Sequence, residues 1–153
     1  MIDAVDRRIV ALLLQDARMS NRALARAAGI AESTCLARVS ALERRGVIMG
    51  YRARIDLARV GRGVEAFVQI KIRPQALGSA VVFCDELAML PEVLRVFLVT
   101  GASDVQVLLA VGSTDELRDF VLSLAQHDAI ADIRSSIVYM SRQSSELSIP
   151  DEP

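Results

Sequence analysis

Tryptophan is absent from these 153 residues, histidine and lysine occur once each, as His127 and Lys71, and cysteine occurs only twice. One histidine with two distant cysteines, Cys35 and Cys84, does not supply the clustered ligands of a zinc site. Two cysteines are also too few for a disulfide scaffold. Both fall at apolar positions of helical patterns, where a thiol is a small core residue rather than a nucleophile. His127 lies between Gln126 and Asp128 with no serine or cysteine partner nearby, and reads as a solvated surface residue. There is no phosphate-binding glycine loop of either common pattern. No apolar run approaches the roughly 18 residues a membrane span needs, and the opening Met-Ile-Asp-Ala-Val-Asp-Arg-Arg lacks a signal-peptide core. The expectation is a cytoplasmic chain with reduced thiols, no catalytic residue, no metal and no cofactor.

What is present is an ordinary packing composition, 52% apolar and 24% charged, with an uneven distribution of charge. Residues 1–62 carry 12 arginines against 6 acidic residues, whereas residues 63–153 carry 6 basic against 13 acidic residues. A basic first part joined to an acidic second part suggests a polyanion-binding module on a different partner domain. Of the 18 basic residues, 17 are arginine, which grips phosphate through two parallel hydrogen bonds.

The first part reads as three short helices. Asp3 is placed to cap the first, and Val5, Ile9, Leu12 and Leu13 form its apolar stripe. Ser20 caps a second, carrying Leu24, Ala25 and Ala28 inward and ending at Gly29. A third runs from about Glu32 to Arg45 on a Cys35, Val39, Leu42 face and stops at Gly46. Its cap position is occupied by Ala31, which costs on the order of 1 kcal/mol against Ser or Thr unless Ser33 caps a later start. Small Ala25, turning Gly29 and small Cys35, four and six residues apart, suit a helix-turn-helix. The opposite face of the third helix shows Ser33, Thr34, Ala37, Arg38, Ala41, Arg44 and Arg45. Short polar groups at the start with arginines further along suit a helix entering the major groove.

Residues 50–57 alternate like a strand, and residues 58–63, with two glycines, read as a hinge. Arg52, Arg54, Arg59 and Arg62 either extend a phosphate-contacting surface or are solvated linker residues. From Val64 to Arg73 the chain alternates cleanly. A helix over about Ala76–Leu90 follows, with Leu77, Val81, Cys84, Leu87 and Ala88 inward. Strands over Val93–Val99 and Val105–Val111 flank the turn Thr100–Asp104. Ser113 and Glu116 form a capping box for a helix to about Gln126, and a strand spans Ile133–Met140. The order β-α-β-β-α-β is the ferredoxin-like split unit. The second and third strands read as apolar on both faces, so a second copy of the sheet is the expected cover, giving a homodimer.

Ile2-Asp3-x-x-Asp6-Arg7-x-Ile9, Leu24-Ala25, Gly29-Ile30-x-x-Ser33-Thr34-Cys35, Arg38-Val39-x-x-Leu42-Glu43-x-x-Gly46-Val47-Ile48-x-Gly50-Tyr51, Pro91-x-Val93 and Thr100-Gly101-x-x-Asp104 occur in order. In this the chain resembles the Lrp/AsnC (leucine-responsive/asparagine regulator) family of transcription factors from about Ile2 to Met140. The resemblance implies an α+β chain: a winged-helix-like helix-turn-helix domain over 1–48, a strand and hinge linker over 49–63, a ferredoxin-like ligand-binding and oligomerisation domain over 64–141, and a polar tail over 142–153. It implies dimers that assemble further, commonly to octamers, with DNA wrapped around the disc. It also implies a free amino acid bound between dimers near Thr100, Gly101, Ser103 and Asp104, with Ser135 and Ser136 on the facing fourth strand. On that pattern Asp104 accepts from a ligand ammonium or holds its turn. The sequence departs from the family at Ala31, Ala102, Ser103 and Val105.

The combined expectation is a sequence-specific regulator on double-stranded operator DNA, modulated by a small effector such as an amino acid. Ser33, Thr34 and Arg38 lie closest to bases, while Arg22, Arg44, Arg45, Arg52 and Arg54 meet phosphates. The alternatives are an effector-independent nucleoid protein and a sirohaem-decarboxylase-like enzyme, against which the single histidine argues.

Overall fold

In the N-terminal part three residues set the helix boundaries. Asp3 accepts the Asp6 N–H at 2.8 Å and starts α1, Ala4–Gln15. The Ser20 hydroxyl accepts the Ala23 N–H at 3.2 Å and starts α2, Asn21–Ala28. Gly29 ends it at φ 75°, a left-handed conformation that favours glycine, while the Ile30 N–H returns to the Ala25 carbonyl at 3.0 Å. The third helix, α3 (Glu32–Arg44), begins after Ala31 without any side-chain cap. Ser33 therefore lies inside the first turn instead of capping it. Asn21 supplies a different brace, its amide donating to the Glu32 carbonyl at 2.9 Å. The computed structural model describes residues 2–142 and divides them into two compact units at Arg54/Ile55. Most of the tail expected over 142–153 lies outside the described residues.

The core of this first unit is small: Ile9, Leu24, Ala25, Ala28, Cys35 and Leu42 are buried, with Val5, Leu12, Leu13, Val39 and Ile48 packed around them. So few core residues leave little margin. Leu42→Ala, at a fully buried site, is expected to cost about 2–5 kcal/mol. Amide exchange should then accelerate across α1–α3 while the sheet of the other unit keeps its protection. Residues 50–57 contain no strand, contrary to the alternating pattern. A strand needs a neighbour for its N–H and C=O groups, and among the described residues none pairs with this segment.

The second unit is a four-stranded antiparallel sheet, in the order β2-β3-β1-β4, with helices on one face. Its elements are β1 (Val64–Ile72), α4 (Ala80–Ala88), β2 (Val93–Leu98), β3 (Val105–Val111), α5 (Thr114–Ala125) and β4 (Ile130–Ile137). Ala66, Val68, Ile70 and Ile72 of β1 and Val105, Val107, Leu109 and Val111 of β3 face the helices and are buried. The capping box forms as the spacing implies: Ser113 accepts the Glu116 N–H and Glu116 accepts the Gly112 N–H.

Two sequence expectations change here. A 3-10 turn over Pro74–Ser79 precedes α4, which shifts the phase of the helix. Ala80, Phe83 and Leu87 point inward, while Val81 is 64% exposed and Leu77 is also exposed. In β2 a bulge between Val93 and Arg95 turns Val93, Val96 and Leu98 toward the helices, because one extra residue reverses the alternation. The outer face then carries Arg95 and Phe97 from β2, Gln106, Leu108 and Ala110 from β3, and Glu65, Phe67, Gln69 and Lys71 from β1. It is an apolar centre ringed by polar groups, rather than apolar throughout.

Candidate nucleic-acid interface and ligand site

In α3, Cys35 and Leu42 are wholly buried, and this anchors the rest of the helix. Ser33, Leu36, Ala37, Ser40 and Arg44 recur at steps of three and four, so they share one stripe. Of these, all except half-buried Ser40 are exposed. Thr34 and Ala41 lie on the edge of that stripe nearer Arg38. Arg22 and Arg26 of α2 are exposed, as are Arg52 and Arg54 beyond α3.

Arg38 does not join this surface. Its Nη1 donates to Asp3 Oδ2 at 2.6 Å and to Asp6 Oδ1 at 2.7 Å. Asp6 is the only charged residue in the described core, its side chain 10% exposed. Its second oxygen lies 3.7 Å from Arg45 Nη1. Arg38 and Arg45 are seven residues apart, two turns along one side of α3, and that side meets α1. The expectation that Arg38 lies nearest the bases is therefore revised: the guanidinium ties α3 to the cap of α1. Arg45 leans the same way. The Asp6 backbone N–H, followed by the Arg38 guanidinium, holds the Asp3 carboxyl below its ordinary range.

In the second unit, Gly101 has φ 118°, open to glycine and strained for other residues. It lies in the turn between β2 and β3, and Thr100, Gly101 and Ala102 are exposed. Asp104 is occupied: Oδ1 accepts from Lys71 Nζ at 2.8 Å and Oδ2 from the Ile72 N–H at 2.8 Å. Of the two roles left open for it, the structure shows the holding one, with a brace that reaches β1 as well as its own turn. The Lys71 ammonium first, then the Ile72 N–H, holds its carboxyl below the ordinary range. Lys71 is the residue that sequence reading missed; the signal was the only ammonium side chain, on the face of β1 opposite the core.

Ser135 and Ser136 lie on β4, opposite Val68 and Phe67 of β1. They point to opposite faces of the sheet. With β1 between β3 and β4, two strand spacings of about 5 Å each separate them from β3. One chain does not bring them to the turn. A cleft of about 350 Å³ lies at the far end of β3, lined by Glu92, Val111, Glu116, Asp119 and Phe120 among others. None of the expected effector residues lines it, and its three carboxylates disfavour a ligand carboxylate.

Both thiols are pushed up by burial, which lowers their nucleophilicity. His127 is exposed, but its Nδ1 accepts the Ala129 N–H at 3.1 Å and its ring packs 4.9 Å from that of Phe83. It braces the loop after α5 and packs that loop against α4.

The depressed carboxyls set a pH dependence. A carboxyl lowered on folding stabilises fully above its unfolded value, near 3.9, and that stabilisation is lost as pH falls through the folded value. Thermal melts should therefore show the midpoint dropping below about pH 4. The drop attributable to the second unit should be shallower in Asp104→Asn.

Residues 2–49 match the family described as winged helix-turn-helix DNA-binding, and residues 65–146 match the Lrp/AsnC ligand binding domain. The chain is 36% identical over 139 residues to the HTH-type transcriptional regulator AldR of Mycolicibacterium smegmatis, covering 90% of this chain and 81% of that protein. It is 37% identical to AldR of Mycobacterium tuberculosis, covering 90% and 78%. The crystal structure of a Neisseria meningitidis transcriptional regulator in complex with L-Met superposes with a TM-score of 0.88 at 28% identity, covering 99% of this chain and 98% of that one. No helix among the described residues is long and apolar enough to cross a membrane. The chain belongs to the Lrp/AsnC family and is a transcriptional regulator with a DNA-binding helix-turn-helix and a ligand-binding domain.

Proposed function

We propose that the chain is a homo-oligomeric, sequence-specific regulator of the cytoplasm whose DNA binding is modulated by an amino acid, and that it is not an enzyme. The observation that carries this reading is the division of labour around α3. One side is clamped to α1 through Arg38 and Asp6, and the opposite side is exposed with short polar groups and Arg44. That side suits the major groove, with Ser33 and Thr34 near base edges and Arg22, Arg44, Arg52 and Arg54 on phosphates.

The outer face of the sheet supports pairing with a second copy. Phe67 lies directly across from Leu108, Arg95 stacks 4.8 Å over Phe97, and charged groups ring them. An apolar centre with a polar rim is the usual anatomy of an interface. Two-fold pairing also places two α3 helices on two half-sites. Effector binding is assigned to the turn Thr100–Ser103, exposed over its first three residues, which Asp104 holds in shape. Ser135 and Ser136 contribute from neighbouring subunits in an assembly larger than the dimer, up to an octamer. An amino acid there acts by favouring one assembly state over another. The L-Met complex of the Neisseria meningitidis relative favours an amino acid as the ligand class.

The test is a fluorescence-anisotropy titration of the protein on the DNA upstream of its own gene. Unrelated DNA of equal length competes, with and without pooled amino acids. Preference for the cognate DNA that shifts with the pool is expected. Preference without a shift removes the effector, and no preference leaves an architectural DNA-compacting protein. Absence of any DNA binding overturns the reading and reopens a tetrapyrrole enzyme.

A further inference from the structure

Leu36 is 57% exposed on α3, about 100° around the helix from wholly buried Cys35. It packs into neither of the described cores. On its stripe lie Ser33, three residues before it, and Ser40, four after it, with Ala37 beside it. Of the uncharged side chains on that surface Leu36 is the longest, and it is the one that projects apolar atoms farthest from the helix. Arg44 is exposed on the same stripe, Arg22 and Arg26 are exposed on the neighbouring α2, and these charges complement a polyanion rather than an apolar protein partner.

Each base pair offers a distinct pattern in the major groove, and the one apolar feature there is the C5-methyl group of thymine. Serine hydroxyls donate or accept with any base, so Ser33 and Ser40 discriminate weakly. Arg38, which elsewhere on the helix would favour guanine, is withdrawn to Asp3 and Asp6. On the DNA-binding reading above, we infer that Leu36 is a specificity-determining residue that selects thymine in each half-site by apolar contact with its methyl group, with Ala37 leaving room for the approach.

The experiment begins with selection of binding sites from random duplex DNA using the full-length protein. Each thymine of the selected site is then replaced singly, in both half-sites, by deoxyuracil, which removes only the methyl group. Affinities are measured for the unsubstituted protein and for Leu36→Ser, whose folding is checked by its melting temperature. At one thymine per half-site the loss of the methyl should weaken the unsubstituted protein roughly fourfold per half-site, the value of one buried methyl-sized group. Leu36→Ser should be insensitive at that position and should select sites with relaxed preference there. Equal sensitivity of the two proteins, or a selected site at which no thymine methyl matters, overturns the inference while leaving the regulator intact. Failure to enrich any sequence overturns sequence-specific reading itself.

Discussion

Asp6→Ala should weaken DNA binding, although it removes a negative charge from the basic unit of the chain. If Arg38 and Arg45 were phosphate contacts, deleting a nearby carboxylate would strengthen attraction to DNA. The structure gives the opposite sign, because Asp6 receives Arg38 at 2.7 Å and lies against Arg45. Without it, Arg45 loses this carboxylate and Arg38 keeps only the exposed Asp3, so α3 is held to α1 at one point instead of two and the pitch of the reading helix is less firmly fixed. Arg38→Ala should have the same signature, since it leaves the Asp6 carboxylate at the edge of a core with its nearest remaining cation 3.7 Å away. Both variants should melt earlier in α1–α3 and bind every DNA sequence less well. Arg44→Ala is the contrast: stability unchanged, and the salt slope of binding reduced by about 1. Calorimetry and salt-dependent anisotropy on the three variants separate the roles. Tighter binding by Asp6→Ala would show that Arg38 works on the DNA after all.

Leu108→Glu should convert the protein to a monomer and lower its affinity for a two-half-site operator by about 10² or more. Leu108 lies across from Phe67 on the outer face of the sheet, and a carboxylate there would be desolvated on each side of a paired interface. The folded unit should be unaffected, because Leu108 is only half-buried and the β3 residues of the core, Val105, Val107, Leu109 and Val111, lie on the other face. Sedimentation reads the assembly state directly. Affinity for a single half-site should remain that of the unsubstituted chain, since α3 is untouched. A variant that still sediments as a dimer would place the interface elsewhere.

Much of this was legible from residue spacing. Ser20, Gly29 and Ser113 mark helix boundaries because their effects are local: a hydroxyl within three residues of an unpaired N–H, or a backbone free to take positive φ. The alternation of β1 and the apolar stripe of α2 likewise depend only on the repeat of one element. The misreadings share a different cause. Pro74 to Ser79 form a 3-10 turn that rephases α4, and one extra residue in β2 exchanges its faces. A shift of a single residue is invisible to a pattern that is apolar in either phase. Residues 50–57 alternate like a strand and have no strand partner among the described residues, since pairing belongs to two segments rather than one.

The candidate sites show the same division. Which residues are arginine, which end of the chain is basic and where the turn glycine lies follow from the sequence alone. Whether Arg38 faces DNA or α1 is set by Asp3 and Asp6, more than 30 residues away along the chain. Whether Asp104 is free for a ligand is set by Lys71 and the Ile72 N–H, similarly distant. Local propensity determines elements because its interactions span one turn or one pleat. The partner of a charged side chain is chosen only when packing brings distant segments within about 3 Å, and that choice belongs to the tertiary structure.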